Sequence, residues 1–113
     1  MTYMQPEPPG APAVQLPDDA VMVDVREQDE WDLGHAVGAI HIPMSEVPAR
    51  IGELPETDGT LPIMCRSGNR SGRVVQWLVA QGFDVVNAEG GMLAWQAAGK
   101  TMVSETGEEP SVQ

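Results

Sequence analysis

The one cysteine of the chain lies in the segment PIMCRSGNRSGR, residues 62–73, directly after a short apolar run. Three of the chain's six basic side chains follow it within this segment: Arg66, Arg70 and Arg73. Gly68 can adopt a positive φ, so the loop after Cys65 can curl with its N–H groups pointing inward and bind an anion. A following helix N-terminus adds positive potential at the same place and favours a thiolate. The segment therefore predicts a nucleophilic Cys65 in an anion-binding loop, and leaves open which arginines line it.

A lone cysteine is more often a small buried apolar residue than a nucleophile. Here, the apolar run before it and the cluster of arginines after it favour the nucleophile. His35 and His41, the only histidines, do not form a recurring ligand spacing with the cysteine, so we expect no metal and no other cofactor. The serine hydrolase pattern G-x-S-x-G is also absent.

Short apolar segments alternate with helix-like segments along the chain, which places Cys65 at the end of a strand. The predicted strands are residues 20–25, 39–43, 60–65 and 84–88, and the predicted helices are residues 26–35, 45–54, 71–82 and 91–99. In the second helix, Ser45 is a favourable N-cap and Pro48 falls in the first turn. This alternation predicts an α/β domain with a mostly parallel sheet and helices on both faces. Sites in such sheets form at the carboxyl ends of the strands.

A chain of 113 residues is long enough for one domain. We expect the domain to cover residues 12–103. Residues 1–11, which contain three prolines and a glycine, predict a flexible arm, and the polar and acidic residues 104–113 predict a flexible tail.

The charge of the chain restricts its partners. With 17 acidic and six basic side chains, the net charge is −11, which argues against binding to nucleic acid or to anionic membranes. No apolar stretch is long enough for a membrane span, and the first residues lack the basic and apolar regions of a secretory signal. One cysteine cannot form an intramolecular disulfide. These features predict a cytoplasmic protein.

Four separated motifs resemble those of the rhodanese homology domain of sulfurtransferases, over about residues 13–103. They are VDVRE (23–27), GHAVGAIHIP (34–43), CRSGNRS (65–71) and EGGMLAWQAAG (89–99). The resemblance implies an α/β fold and a persulfide carried by Cys65. It also implies the partners: an anionic sulfur donor such as thiosulfate, and a thiol or cyanide as acceptor. A sulfur-relay protein is a further candidate partner.

The resemblance also implies roles for individual residues. The anion-binding loop would consist of Arg66, Ser67, Gly68, Asn69, Arg70 and Ser71. We expect Ser71 to cap the following helix, with its hydroxyl group facing the sulfur. Asp24 and Arg26 would support the fold through ion pairs, with Glu30 as a candidate partner. His35 and Trp95 are expected to be packing residues.

The length of the loop bears on the choice of reaction within this superfamily. Cys65 to Arg70 is six residues, as is typical of sulfurtransferases, whereas the related phosphatases have one more. The sequence therefore favours sulfur over phosphate. Two alternatives stay open: a non-enzymatic module that senses an anion or presents a persulfide, and a phosphatase or arsenate reductase.

Overall fold

The computed structural model describes residues 7–113, which contain seven short strands and three α-helices. The strands are β1 Gly10–Pro12, β2 Met22–Asp24, β3 His35–Ala36, β4 Ala39–His41, β5 Leu61–Met64, β6 Val85–Glu89 and β7 Met102–Val103. The α-helices are α1 Gln28–Leu33, α2 Asn69–Ala80 and α3 Gly91–Ala97. Single-turn 3₁₀-helices occur at Ala13–Gln15, Met44–Glu46 and Ile51–Glu53.

Five of the strands form one parallel sheet in the order β1-β6-β5-β2-β4. The remaining two, β3 and β7, form a separate antiparallel pair. This arrangement confirms the predicted α/β class and the mostly parallel sheet. Because β5 ends at Met64, Cys65 lies at the carboxyl edge of the sheet, in its centre.

Side chains alternate between the two faces of the sheet along β2 and β5. On one face, Val23 and Ile63 belong to a buried cluster that α2 covers through Leu78. On the other face, Met22 and Met64 belong to a second cluster that includes Trp95 of α3. The helices therefore lie on both faces, as the alternating pattern predicts.

The predicted helix over residues 45–54 is wrong, because the chain forms two separate 3₁₀ turns there. The first turn begins at Met44 rather than after Ser45. Pro48 then lies beyond the first turn, where its missing N–H would leave a carbonyl without its helical partner. The longest helix within residues 7–113 is α2, with 12 residues, and none in that range has the length and apolar character needed to cross a bilayer.

The two segments predicted as flexible differ in part from that expectation. Residues 1–6 of the arm lie outside the described residues, while Gly10 and Ala11 pair with β6 in the sheet. In the tail, the N–H of Glu105 donates to the carbonyl of Asp32, and the N–H of Ser111 donates to that of Leu33. The contacts named here use backbone groups, and the sequence of these segments carries no periodic apolar pattern that would predict them. The domain boundaries at 12 and 103 stay predictions.

The N-terminus of α3 holds the backbone of the cysteine loop. The N–H groups of Met92 and Leu93 donate to the carbonyls of Cys65 and Arg66, at 2.9 Å and 3.0 Å. Gly91 has a φ of +59°, and a Cβ atom there would lie 2.5 Å from both carbonyl oxygens. Only glycine therefore allows α3 to approach the loop this closely.

This contact predicts a difference between two glycines that share a positive φ. Gly99 has a φ of +70° and open space around its Cα, so Gly99→Ala should lower the free energy of unfolding by about 1–2 kcal/mol. Gly91→Ala carries the same backbone cost and also a clash, so we expect a further loss of ~1–3 kcal/mol. Urea unfolding of both variants measures the difference. Equal losses would show that the loop does not depend on close approach at Gly91.

Candidate active site

The loop after Cys65 turns directly into α2. Gly68, with a φ of +104°, is the N-cap residue of α2 and donates its N–H to the sulfur of Cys65 at 3.0 Å. The positive φ predicted for Gly68 is thus confirmed. The helix begins at Asn69, two residues earlier than predicted, because the left-handed residue reverses the chain within the loop itself.

A second donor reaches the same sulfur from inside the helix. Ser71 is fully buried, and its hydroxyl oxygen lies 3.1 Å from the sulfur of Cys65. The prediction that this hydroxyl faces the sulfur is confirmed. The prediction that Ser71 caps the helix is wrong, because α2 has already started at Asn69 and Ser71 lies in its first turn.

Asn87 of β6 belongs to the site, although the sequence reasoning did not identify it. Its Oδ1 atom lies 2.6 Å from the hydroxyl oxygen of Ser71, and its Nδ2 group donates to the carbonyl of Gly68 at 3.0 Å. A signal was present: an asparagine within the buried strand segment DVVNA needs polar partners inside the protein. The sequence does not indicate, however, that those partners belong to the loop after Cys65 and the first turn of α2.

The sulfur lies below the surface. Cys65 is 1% exposed and belongs to the core cluster beneath α2, whereas Arg66, Ser67 and Asn69 of the loop are exposed. The first N–H groups of α2 have no partner within the helix and carry partial positive charge. A buried sulfur beneath an exposed, electropositive loop suits chemistry on a small anion.

The three arginines near the cysteine have different surroundings. Arg66 donates its Nε–H to the carbonyl of Gln113. Arg70 forms a two-point ion pair with Glu30, at 2.6 Å and 2.8 Å. Arg73 is exposed and makes no hydrogen bond or ion pair within residues 7–113. Of the three, only Arg70 pairs with a carboxylate of the described chain, and only Arg73 makes neither a hydrogen bond nor an ion pair there.

Asp24 and Arg26 form a fully buried ion pair, with an Nη2–Oδ2 distance of 2.8 Å. Arg26 also donates to the carbonyl of Gly34 at 2.7 Å. Glu30 forms no hydrogen bond or close ion pair with either residue within residues 7–113, and the charge of Arg26 is one of the smaller influences that lower its pKa. Helix α1 starts at Gln28, which turns Glu30 back to the N–H of Glu27 and across to Arg70 instead.

His35 and Trp95 lie away from the sulfur. The ring of His35 stacks on Trp31 with centroids 3.5 Å apart, and its Nε2 atom lies 2.7 Å from a carboxylate oxygen of Glu105. Trp95 is fully buried and donates its indole N–H to the carbonyl of Thr101. Among residues 7–113, no group of three or more histidine, cysteine or acidic side chains converges as a set of metal ligands.

Comparison with known proteins gives consistent matches. The sequence pattern of the family described as Rhodanese-like domain matches residues 12–98. A protein named sulfurtransferase from Allochromatium vinosum is 36% identical over 91 residues, which cover 80% of this chain and 84% of that protein. The crystal structure of a rhodanese-related protein from Thermoplasma volcanium is similar with a TM-score of 0.73 and 33% identity, over 84% of this chain and 97% of that chain.

A larger protein contains a similar part. The structure of a NAD-dependent persulfide reductase from A. fulgidus matches with a TM-score of 0.64 and 34% identity. The match covers 77% of this chain but 16% of that one.

The ion pair between Glu30 and Arg70 is the main electrostatic feature beside the loop. The hydrogen bonds from Arg70 lower the pKa of Glu30 from its usual 4.5 to about 2. In the same pair, hydrogen bonds to Glu30 raise the pKa of Arg70. A lowered carboxyl pKa means that the folded protein favours the carboxylate, so the pair stabilises the fold above pH 4.5.

This ion pair predicts a pH-dependent effect of Glu30→Gln. The stability difference between wild type and variant should be greatest near neutral pH and should shrink as the pH falls from about 4.5 to about 2. Chemical unfolding across this range measures the difference. Arg70→Gln is the matched control, since removing either partner should give the same pH profile. A difference independent of pH would contradict the assignment.

Proposed function

The chain belongs to the rhodanese-like domain family of sulfurtransferases, and on that basis we propose that Cys65 carries sulfur as a persulfide. The donor is an anion such as thiosulfate. The acceptor is a thiol or cyanide, free or presented by a sulfur-relay protein. The cytoplasm is the proposed location, since a thiol that must be free at each cycle suits a reducing compartment.

One observation carries this proposal: two hydrogen-bond donors converge on a buried cysteine sulfur. The N–H of Gly68 lies 3.0 Å from it and the hydroxyl of Ser71 lies 3.1 Å from it. Hydrogen bonds to a charged acceptor are about twice as strong as those between neutral groups. Two donors fixed in place before reaction therefore favour negative charge on the sulfur of Cys65, in the thiolate and during its attack.

The proposed cycle has two steps. The Cys65 thiolate attacks the outer sulfur of thiosulfate, the S–S bond of thiosulfate breaks, and sulfite leaves with the bonding electron pair. The product is a Cys65 persulfide anion, so three negative charges enter and three leave. An acceptor such as cyanide then attacks the outer sulfur, thiocyanate leaves, and the Cys65 thiolate is restored. This is ping-pong chemistry, in which neither step needs a metal or an external oxidant.

The exposed part of the loop is the proposed entry for the donor. The first N–H groups of α2 supply partial positive charge at this place. Arg66 and Asn69 lie on the exposed rim. Arg73 follows one helical turn after Asn69, on the same side of α2. Because the charge of Arg70 is matched by Glu30, we assign the attraction of the anion mainly to Arg73 and to the N–H groups.

The nucleophile is tested by Cys65→Ser. The hydroxyl is a far weaker nucleophile for sulfur, so transfer from thiosulfate to cyanide should fall by at least ~10³-fold. Mass spectrometry should show that wild-type protein gains the mass of one sulfur atom with thiosulfate, that a reductant removes it, and that the variant gains nothing. Circular dichroism serves as the control for folding. Turnover retained by a folded variant would overturn the mechanism.

The role of Arg73 is tested against another exposed arginine. Arg50 is paired with Glu46 and Glu53, so Arg50→Gln changes the net charge equally. At low ionic strength, Arg73→Gln should raise KM for thiosulfate by about 3- to 10-fold with little change in kcat. Arg50→Gln should leave KM close to the wild-type value. An equal increase in both variants would indicate only an effect of overall charge.

A further inference from the structure

We propose that Asn87 is a positioning residue, which acts on the sulfur of Cys65 by holding the hydroxyl of Ser71 toward it. The inference rests on the proposed sulfur transfer, and adds to it a residue that touches neither donor nor acceptor. Three distances in the chain of contacts carry it: 3.0 Å from Asn87 to Gly68, 2.6 Å from Asn87 to Ser71, and 3.1 Å from Ser71 to the sulfur.

The orientation of the Asn87 amide follows from its partners. The carbonyl oxygen of Gly68 can only accept a hydrogen bond, so the NH₂ group of Asn87 must face it. The amide oxygen then faces Ser71 and can only accept from it. The register of β6 against β5 fixes this position, since Asn87 pairs with Ile63, two residues before Cys65.

Asn87 keeps Ser71 away from a competing bond. A serine inside a helix tends to donate its hydroxyl to a backbone carbonyl three or four residues earlier, which for Ser71 means Gly68 or Ser67. The NH₂ group of Asn87 already occupies the carbonyl of Gly68. Its amide oxygen at the same time holds the Ser71 oxygen on the side of the sulfur. Without Asn87, the serine is free to turn back to its own helix.

The Ser71 hydroxyl has one hydrogen and two acceptors within reach. While Cys65 is a neutral thiol, the S–H can donate to the serine oxygen and the serine hydrogen lies on the amide oxygen of Asn87. When the sulfur becomes negative, the serine hydrogen turns to the sulfur, and the bond from the Asn87 NH₂ group to the carbonyl of Gly68 keeps that competing acceptor occupied. This is a rotation about the C–O bond, so no proton is gained or lost. Ser71 is fully buried and Asn87 is 8% exposed, so bulk water competes little with either acceptor.

The experiment is a double-mutant cycle with Asn87→Ala and Ser71→Ala. Each single variant should slow the loading of sulfur onto Cys65 from thiosulfate by about 10- to 100-fold, since Ser71→Ala removes a donor to the charged sulfur and Asn87→Ala lets that donor turn away from it. If Asn87 acts through Ser71, the double variant should be no slower than the slower single variant. Loading is followed in a single turnover by mass spectrometry.

A control separates positioning from general damage to β6. Val85→Ala removes buried apolar atoms from the first residue of β6, which is not among the residues that contact the sulfur of Cys65 or Ser71. It should lower stability while leaving the loading rate within about twofold of wild type. Fully additive losses in the cycle, or an equal loss of rate in Val85→Ala, would overturn the positioning role.

The same cycle is measured with iodoacetamide at pH 7, which alkylates Cys65 without any sulfur transfer. We expect the same direction and the same non-additivity, because the Ser71 hydroxyl stabilises the attacking sulfur in both reactions. One outcome is that the wild-type protein does not load sulfur while the losses of alkylation rate in the cycle are non-additive. That outcome would contradict the proposed function and support the role of Asn87. Normal loading in wild type with additive losses would contradict only the role of Asn87.

Discussion

The backbone of the cysteine loop is held between two helix N-termini, and the rest of the site depends on this arrangement. The first N–H groups of α3 find their acceptors in the carbonyls of Cys65 and Arg66. These N–H groups would otherwise lack partners at the start of a helix. The same hydrogen bonds therefore complete α3 and fix the strand end from which the sulfur projects. Gly91 is the residue that lets the two backbones meet.

The charges of the molecule are distributed in a way that the net charge of −11 does not reveal. Arg26, Arg50, Arg70 and Lys100 each pair with a carboxylate. In an acidic chain, most cations are thus matched by acids of the chain itself. The two groups that contact the sulfur of Cys65 directly are an N–H and a hydroxyl. Both are uncharged, so a carboxylate of the chain does not cancel a charge on them by forming an ion pair.

The sequence was most informative where local pattern and chemistry agree. The apolar run before Cys65 and the glycine after it predict a strand end and a tight loop, and both are present. The sequence could not predict that residues 45–54 form two 3₁₀ turns instead of one helix. That outcome depends on the first turn beginning at Met44, which places Pro48 beyond the first turn. The sequence analysis also missed β1. This strand pairs with β6 through backbone groups, which are the same in every sequence and leave no pattern of side chains. Asn87 was missed because its partners lie 16 and 19 residues away in sequence and meet it only in the folded sheet.

The burial of Cys65 affects how long a loaded protein would keep its sulfur. These 113 residues contain no second thiol, so the proposed persulfide on Cys65 would have no thiol among them to resolve it and would depend on an acceptor from outside. Cys65 is 1% exposed, and such burial would restrict access by reductants and oxidants in bulk solution more than access by a molecule that fits the loop. A persulfide held at such a site would be long-lived until a suitable acceptor arrives. Its rate of transfer would then depend on the shape of the acceptor as well as on its nucleophilicity.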